Sequence, residues 1–293
     1  MIPVDRTKPW HQTNWDWRAA MNFILGGSGS GLLIALPAGP PEWYAPLAII
    51  GAAAIAGGLL FVWMEIGRPL RALNVFIHLK TSWMTRESWV APAVLGLSVL
   101  AASTGSVLLH ALAGAAAALF LYCQGRILTA SKGIPAWRLP IVAPIIVLSG
   151  LLEGIGLVVI TLVVLDRLSA QISVGIAVCV LLRGVFWRFY ARSIFAGSVP
   201  EKVKKALTKY FPVIELTGSV VPAAFLAGAL FFLWPALAGV AAGLAIVGGW
   251  YFKFVLVTRL GYNQGFALPN FPNRGKGNAG TATKPGWQQS TVD

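Results

Sequence analysis

Eight apolar runs, each close to the length that crosses a lipid bilayer, dominate this 293-residue chain and leave little room for any other fold. They extend over Trp17–Pro37, Tyr44–Met64, Trp89–Thr104, Val107–Ile127, Ile141–Leu165, Ile172–Tyr190, Val213–Trp234 and Ala236–Val257. A helix rises about 1.5 Å per residue, so about 20 residues cross the hydrocarbon layer with every backbone donor and acceptor satisfied internally. Hydrophobic residues make up 57% of the chain and charged residues 11%, and the mean hydropathy is +0.72, a composition that excludes a soluble domain of this length. The first, third, fifth and seventh links are tight turns, whereas the second, fourth and sixth are longer and charged. The expected fold is an all-α integral membrane protein: eight transmembrane helices in four antiparallel hairpins. A polar segment at 1–16 precedes the transmembrane domain at 17–258, and a tail at 259–293 follows it. No small-residue cleavage site follows the first run, so that helix is expected to remain. The tail is rich in Gly, Pro, Asn and Thr and has no apolar periodicity, which suits an extended segment lying over a partner.

A net charge of +13 would point a soluble protein toward nucleic acid, but here the basic residues sit in the links. Of the 23 Lys and Arg, all but Arg167, Arg183 and Lys253 fall on the side shared by the termini and the three long links. The positive-inside rule then puts both termini and those links in the cytoplasm, and no nucleic-acid partner is expected. The two cysteines, Cys123 and Cys179, lie at different depths in different runs and are too few for an iron–sulfur cluster, so both are expected to be free thiols. Of the three histidines only His110 lies within an apolar run, so the facing pair that a b-type haem needs is missing and no haem or metal site is expected.

The motifs gather on the basic side. The second run ends in Trp63-Met64-Glu65-Ile66-Gly67-Arg68-Pro69-Leu70-Arg71, and the link passes through His78 to Trp83-Met84-Thr85-Arg86-Glu87-Ser88-Trp89. This resembles the membrane-anchor subunits of the dimethyl sulfoxide reductase family, within the polysulfide reductase-like group. There the second helix ends in His-Leu-Gly-x-Pro followed by an arginine, with a glutamate near the start of the third helix. Tyr122-Cys123-Gln124-Gly125-Arg126-Ile127 and Ile134-Pro135-Ala136-Trp137 are similar to that family's Ala-Arg-Ile-Tyr and Pro-x-Trp elements. Gly261-Tyr262-Asn263-Gln264-Gly265-Phe266-Ala267-Leu268-Pro269 looks like the ending of the anchors of phenylacetyl-CoA:acceptor oxidoreductases. One departure stands out: Glu65 replaces the family's histidine, which is implicated in quinol binding, leaving His78 and His11 as nearby alternatives.

The resemblance implies a quinone, ubiquinone or menaquinone, bound at the cytoplasmic ends of helices two to four in a bacterial inner membrane. It also implies two cytoplasmic partners, an iron–sulfur electron-transfer subunit and a molybdopterin catalytic subunit, which hold the clusters and molybdopterin that this chain lacks. Quinone reduction needs an apolar cleft, donors for two carbonyl oxygens and a supply of protons. Glu65 and Glu87 suit the proton work, and Arg68, Arg71, His78, Trp83, Tyr122 and Arg126 are candidates to hold the ring. Arg86 is a further donor, and Trp63, Trp83, Trp89, Tyr122 and Trp137 are expected in an interfacial aromatic belt. On the bland reading the aromatics and arginines only anchor the interface, and Glu65 and Glu87 pair with Arg68 and Arg86.

Two further acidic residues fall within helices. Counting from the turns, Glu153 matches Arg183 in depth and Glu215 matches Lys253, so two buried pairs are expected, structural or part of a proton path. Gly26-Gly27-Ser28-Gly29-Ser30-Gly31 lacks the preceding strand and the Gly-Lys-Ser/Thr ending of a phosphate loop and is expected to pack helices. An anchor of a phenylacetyl-CoA-type complex leads this reading. The rivals are the anchor of a cytoplasmic sulfite dehydrogenase or related reductase, a proton-coupled quinone oxidoreductase subunit, and a transporter. Alone, the chain is not expected to act on the soluble substrate.

Overall fold

The computed structural model describes residues 8–66 and 69–265, with the backbone alone for 69–71. Among the described residues, eight helices are long and apolar enough to cross a membrane: α1 Trp17–Ala38, α2 Pro41–Glu65, α3 Trp83–Thr104, α4 Val107–Thr129, α5 Val142–Val164, α6 Ala170–Ala196, α7 Glu201–Phe232 and α8 Pro235–Thr258. The chain is a multi-pass, all-α membrane protein. Sequence neighbours pack as the hairpins α1–α2, α3–α4, α5–α6 and α7–α8. Short polar residues start several helices by taking up an otherwise orphaned amide: Asp16 accepts from Arg18 N, Ser82 from Thr85 N, Ser106 from Leu109 N and Ser169 from Ile172 N. Gly105, at φ +67°, lets the chain reverse between α3 and α4.

Three boundaries differ from the hydropathy reading by six residues or more. Helix α3 starts at Trp83 rather than Trp89, α6 runs to Ala196 rather than Tyr190, and α7 starts at Glu201 rather than Val213. These extra turns are charged or amphipathic: in Glu201–Glu215, Val203 and Leu207 are buried while Lys202, Lys205 and Lys209 face outward. A mean-hydropathy window averages such a stripe away, although its 3.6-residue period is visible. The sixth link therefore shrinks to a few residues, and the second carries a short 3-10 segment, Pro69–Phe76.

Helix α1 is the hub, packing against α2, α4 and α5, and α5 also packs against α8. The small-residue run in α1 makes this possible. A methyl group on Gly31 would collide with the backbone of Gly150 on α5, and one on Gly154 would collide with Gly31 in return. Without a side chain at the crossing, the two backbones touch and gain van der Waals contact that lipid cannot replace. Among the described residues two helices widen locally into π turns, Asn22–Gly26 in α1 and Leu216–Val220 in α7. Each widening accompanies a backbone carbonyl that accepts a hydrogen bond from another helix: Gln124 Nε2 donates to Asn22 O (2.9 Å), and Arg183 Nη2 donates to Gly218 O (2.5 Å).

The described ends of the chain meet on one face. Gln12 N donates to Gly261 O (2.8 Å), Asn263 N donates to Trp10 O (2.9 Å), and His11 forms a bridge with Tyr262. Trp15 stacks on Trp137 at 5.0 Å, and Trp137 Nε1 donates to Leu256 O (2.7 Å). Trp137 is 2% exposed, so it belongs to the core and not to an interfacial belt. Its indole N–H finds a carbonyl at the end of α8, which permits full burial. The remainder of the tail lies outside the described residues.

The inner charges are paired differently from the depth count. Lys253 on α8 pairs with Glu153 on α5 (2.7 Å), and Glu215 pairs with Arg188 on α6 at a partly exposed site. Arg183 lies near Glu153 but directs its hydrogen bonds to the carbonyls of Gly218 and Ala245. Counting residues from a turn yields depth only. The direction a side chain points depends on which helices pack, and α8 lies against α5.

Candidate functional site

The polar N-terminus of α1, the end of α2 and the start of α3 come together on the basic face. Arg18 ties the first two: its guanidinium grips Asp16 through both carboxylate oxygens and donates to Met64 O (3.0 Å). The hydrogen bonds from the Arg18 guanidinium hold the Asp16 carboxyl below its ordinary value. Glu65 Oε1 then accepts the backbone N–H of Asp16 (3.2 Å), closing the corner.

Two adjoining cavities open beside this corner. The smaller, about 230 Å³, is lined by Asn14, Trp15, Glu65 and Glu87 among others. The larger, about 490 Å³, runs between α2 and α3 and is walled by apolar groups including Leu59, Trp63, Phe76, Pro92 and Leu95. Both share Asn22, Val62, Ile66, Met84 and Glu87, so they form one cleft with Glu87 at the junction. Glu87 is 5% exposed because α3 begins six residues earlier than its hydropathy implies, which carries the carboxyl into the bundle against α1. Asn22 Nδ2 approaches Glu87 Oε1 at 3.5 Å, a long contact, while Asn22 Oδ1 is buried with no hydrogen-bond partner among the described residues. Behind them Gln124 holds the Asn22 carbonyl. The result is an apolar slot with one buried carboxyl and one unsatisfied amide oxygen at its base, suited to a flat apolar ligand with polar edges that exchanges protons.

Glu65 and Glu87 therefore line the same cleft. Trp83, Tyr122 and Arg126 are brought together beside it and not within it. Arg126 lies over the Trp83 ring (4.8 Å) and donates to Tyr122 Oη (3.2 Å), while Arg86 covers the Trp83 ring at 4.1 Å. Arg86 spends its donors on the carbonyls of Leu79 and Lys80, so it braces the link and does not pair with Glu87. His78 is exposed on that link and lines neither cavity, and His11 sits edge-on to Tyr262. Arg68 and the side chain of Arg71 lie outside the described residues. Asn22, Met84 and Gln124 complete the site and were not singled out from sequence. Asn22 carried a usable signal, being the sole amide residue of its apolar run. Among the described residues no cluster of His, Cys, Asp and Glu could hold a metal ion. Compared with protein-family models and with curated proteins, the chain matches none.

Proposed function

We propose that this chain is the membrane anchor and quinone-reactive subunit of a molybdopterin oxidoreductase complex, passing electrons between a cytoplasmic iron–sulfur subunit and the membrane quinone pool. The observation that carries the reading is the apolar cleft between α2 and α3 with Glu87 and the unsatisfied Asn22 amide at its base. Its volume and apolar walls suit a planar ring with a hydrocarbon tail; a protonated Glu87 carboxyl donates to a quinone oxygen, and Asn22 Oδ1, an acceptor, receives the hydroxyl of the quinol. A quinone, when bound, takes up two electrons and two protons. The chain's own part is to exclude water with Trp63, Phe76 and Leu95, to orient the ring against Asn22, and to hold a transferable proton on the Glu87 carboxyl. Glu65, whose Oε1 already accepts the Asp16 amide, positions the corner.

The basic face, cytoplasmic by the positive-inside rule, supports docking of an acidic iron–sulfur partner beside the cleft, with the molybdopterin subunit beyond it. That orientation favours a cytoplasmic substrate of the phenylacetyl-CoA type. The test is to purify the tagged chain from its native membrane in mild detergent and measure molybdenum, iron and quinone. Wild type is expected to bring down all three. Glu87→Gln is expected to keep the complex and lose about a hundredfold or more of quinone reduction, the range of a missing proton donor. A solitary chain carrying lipid in the cleft and no quinone would overturn the proposal.

A further inference from the structure

Among the described residues, the larger cavity beside Glu87 is closed to a long apolar chain on every side but one. At the basic end the link caps it: Phe76 lines the cavity, its carbonyl accepts the Trp89 Nε1 N–H (3.1 Å), and the two rings meet edge to face at 5.4 Å. Toward the bundle, Ile55, Ala91 and Val94 are each at most 4% exposed and shut the inner wall. The smaller cavity leads to the polar side chains of Asn14 and Glu65, which do not welcome hydrocarbon. The outer seam of α2 and α3 stays open, with Trp63 and Pro92 exposed on its rim.

That seam carries a second hollow. About 600 Å³ lies between the far ends of the same two helices, lined by Ile49, Ile50, Val99 and Ala102 among others. The cleft and the hollow share one line on each helix. On α2 it runs through Trp63, Leu59, Ala56, Ala52 and Ile49, and on α3 through Ser88, Pro92, Leu95, Val99 and Ala102. Steps of three and four residues keep these side chains on one face. Between the two spaces α2 places Ala52 and Ala56 on the line, so nothing longer than a methyl group interrupts it. On α3, Leu95 of the cleft is followed one turn later by Val99 of the hollow. The hydroxyls at either end turn back to their own helix: Ser88 Oγ donates to Met84 O (2.9 Å) and Ser103 Oγ to Leu100 O (3.1 Å). What the seam presents is hydrocarbon.

We propose that the outer seam of α2 and α3 is a binding groove for the polyprenyl tail of the quinone, running from the ring site at Glu87 to the hollow at Val99 and Ala102. This inference rests on the quinone reading. Glu87 to Ser103 rises about 24 Å along α3, room for a ring and a tail of several isoprene units. A tail already dissolved in lipid gains nothing by burial alone, so close contact with a shaped apolar surface has to hold it, as it holds helices together. The groove therefore selects long-tailed quinones over short ones. Ala56 sets that selection, because the tail passes it between the two spaces and a larger side chain there stops it.

Position is tested first, on the full chain in lipid bilayers, with a quinone that carries a diazirine at the end of a tetraprenyl tail. After illumination, label is expected within 45–50 and 99–103 and is expected to vanish under excess octaprenyl quinone. Label that quinone competes away from other helices overturns the groove. So does label in 45–50 and 99–103 that a diazirine-bearing phospholipid gives equally and quinone does not displace, since a bilayer lipid then fills the seam. In the purified complex, ubiquinone and menaquinone are each offered with an octaprenyl and a diprenyl tail at equal mole fraction in the bilayer. Wild type is expected to show the lower KM for the octaprenyl form. Ala56→Phe is expected to raise that KM about fivefold or more, the range of an overpacked contact, with kcat and the diprenyl KM unchanged. Gly175→Phe, which adds the same ring at an open position on α6, is expected to change neither. One KM for both tails, in wild type and in Ala56→Phe alike, would overturn the groove and leave the quinone site standing. A preparation that reduces neither form and shows no competed label would remove the quinone reading as well.

Discussion

Glu65 and Glu87 share one cleft and one functional group, yet their surroundings assign them different work. Glu65 Oε1 receives a backbone N–H from the start of α1, whereas Glu87 faces the side-chain amides of Asn22, across 3.5 Å, and Gln124 at the base of a largely apolar cleft. Glu65→Gln keeps an oxygen for the Asp16 amide and is expected to change stability by less than about 0.5 kcal/mol, measured by unfolding in mixed micelles, with quinone reduction retained. Glu65→Ala frees that amide and is expected to cost about 1 kcal/mol more. The Trp83–Arg126–Tyr122 group is held by a planar cation over a ring, which a lysine does not reproduce. Arg126→Lys is expected to lose about 0.5–1 kcal/mol, and a double-mutant cycle with Trp83→Leu should return most of that as coupling. The two glutamates were legible in the sequence because only ten acidic residues occur in the chain. Asn22 stood out only as the sole amide of its apolar run, and its partner became visible when α3 packed against it.

Among the elements, α1 and α5 depend on the absence of side chains. Their crossing at Gly31, Gly150 and Gly154 brings backbone against backbone, so Gly31→Leu is expected to force the helices apart and destabilise the bundle by about 3 kcal/mol or more. Gly243 offers a contrast, since a methyl there meets nothing within 4 Å, and Gly243→Ala is expected to be neutral or stabilising in the same assay. The small-residue run of α1 announced a packing face but not its partners. The π turns in α1 and α7 had no advance signal. A helix widens where its carbonyls are wanted by side chains on other helices, and here those side chains come from α4 and α6.

For the molecule as a whole, the central ion pair governs tolerance to change. Lys253→Met strands Glu153 near Arg183 and is expected to cost about 3–5 kcal/mol, whereas Lys253→Met combined with Glu153→Gln is expected to recover part of the loss, both read from unfolding in mixed micelles. The segments at 10–12 and 261–263 clasp each other beside the stacked Trp15 and Trp137, which links the α1 end of the cleft to α8. Span number, hairpin order and the concentration of basic residues on one side follow from the sequence alone, because crossing lipid imposes a length and an apolar content that each segment meets independently. Helix ends carrying charge, the burial of Trp137, the pairing of Glu153 with Lys253 and of Glu215 with Arg188, and the joining of Asn22 to Glu87 do not follow from it. Each depends on how helices rotate about their own axes when they pack. That rotation is set by interlocking shapes contributed from distant parts of the chain, which depth and hydropathy do not encode.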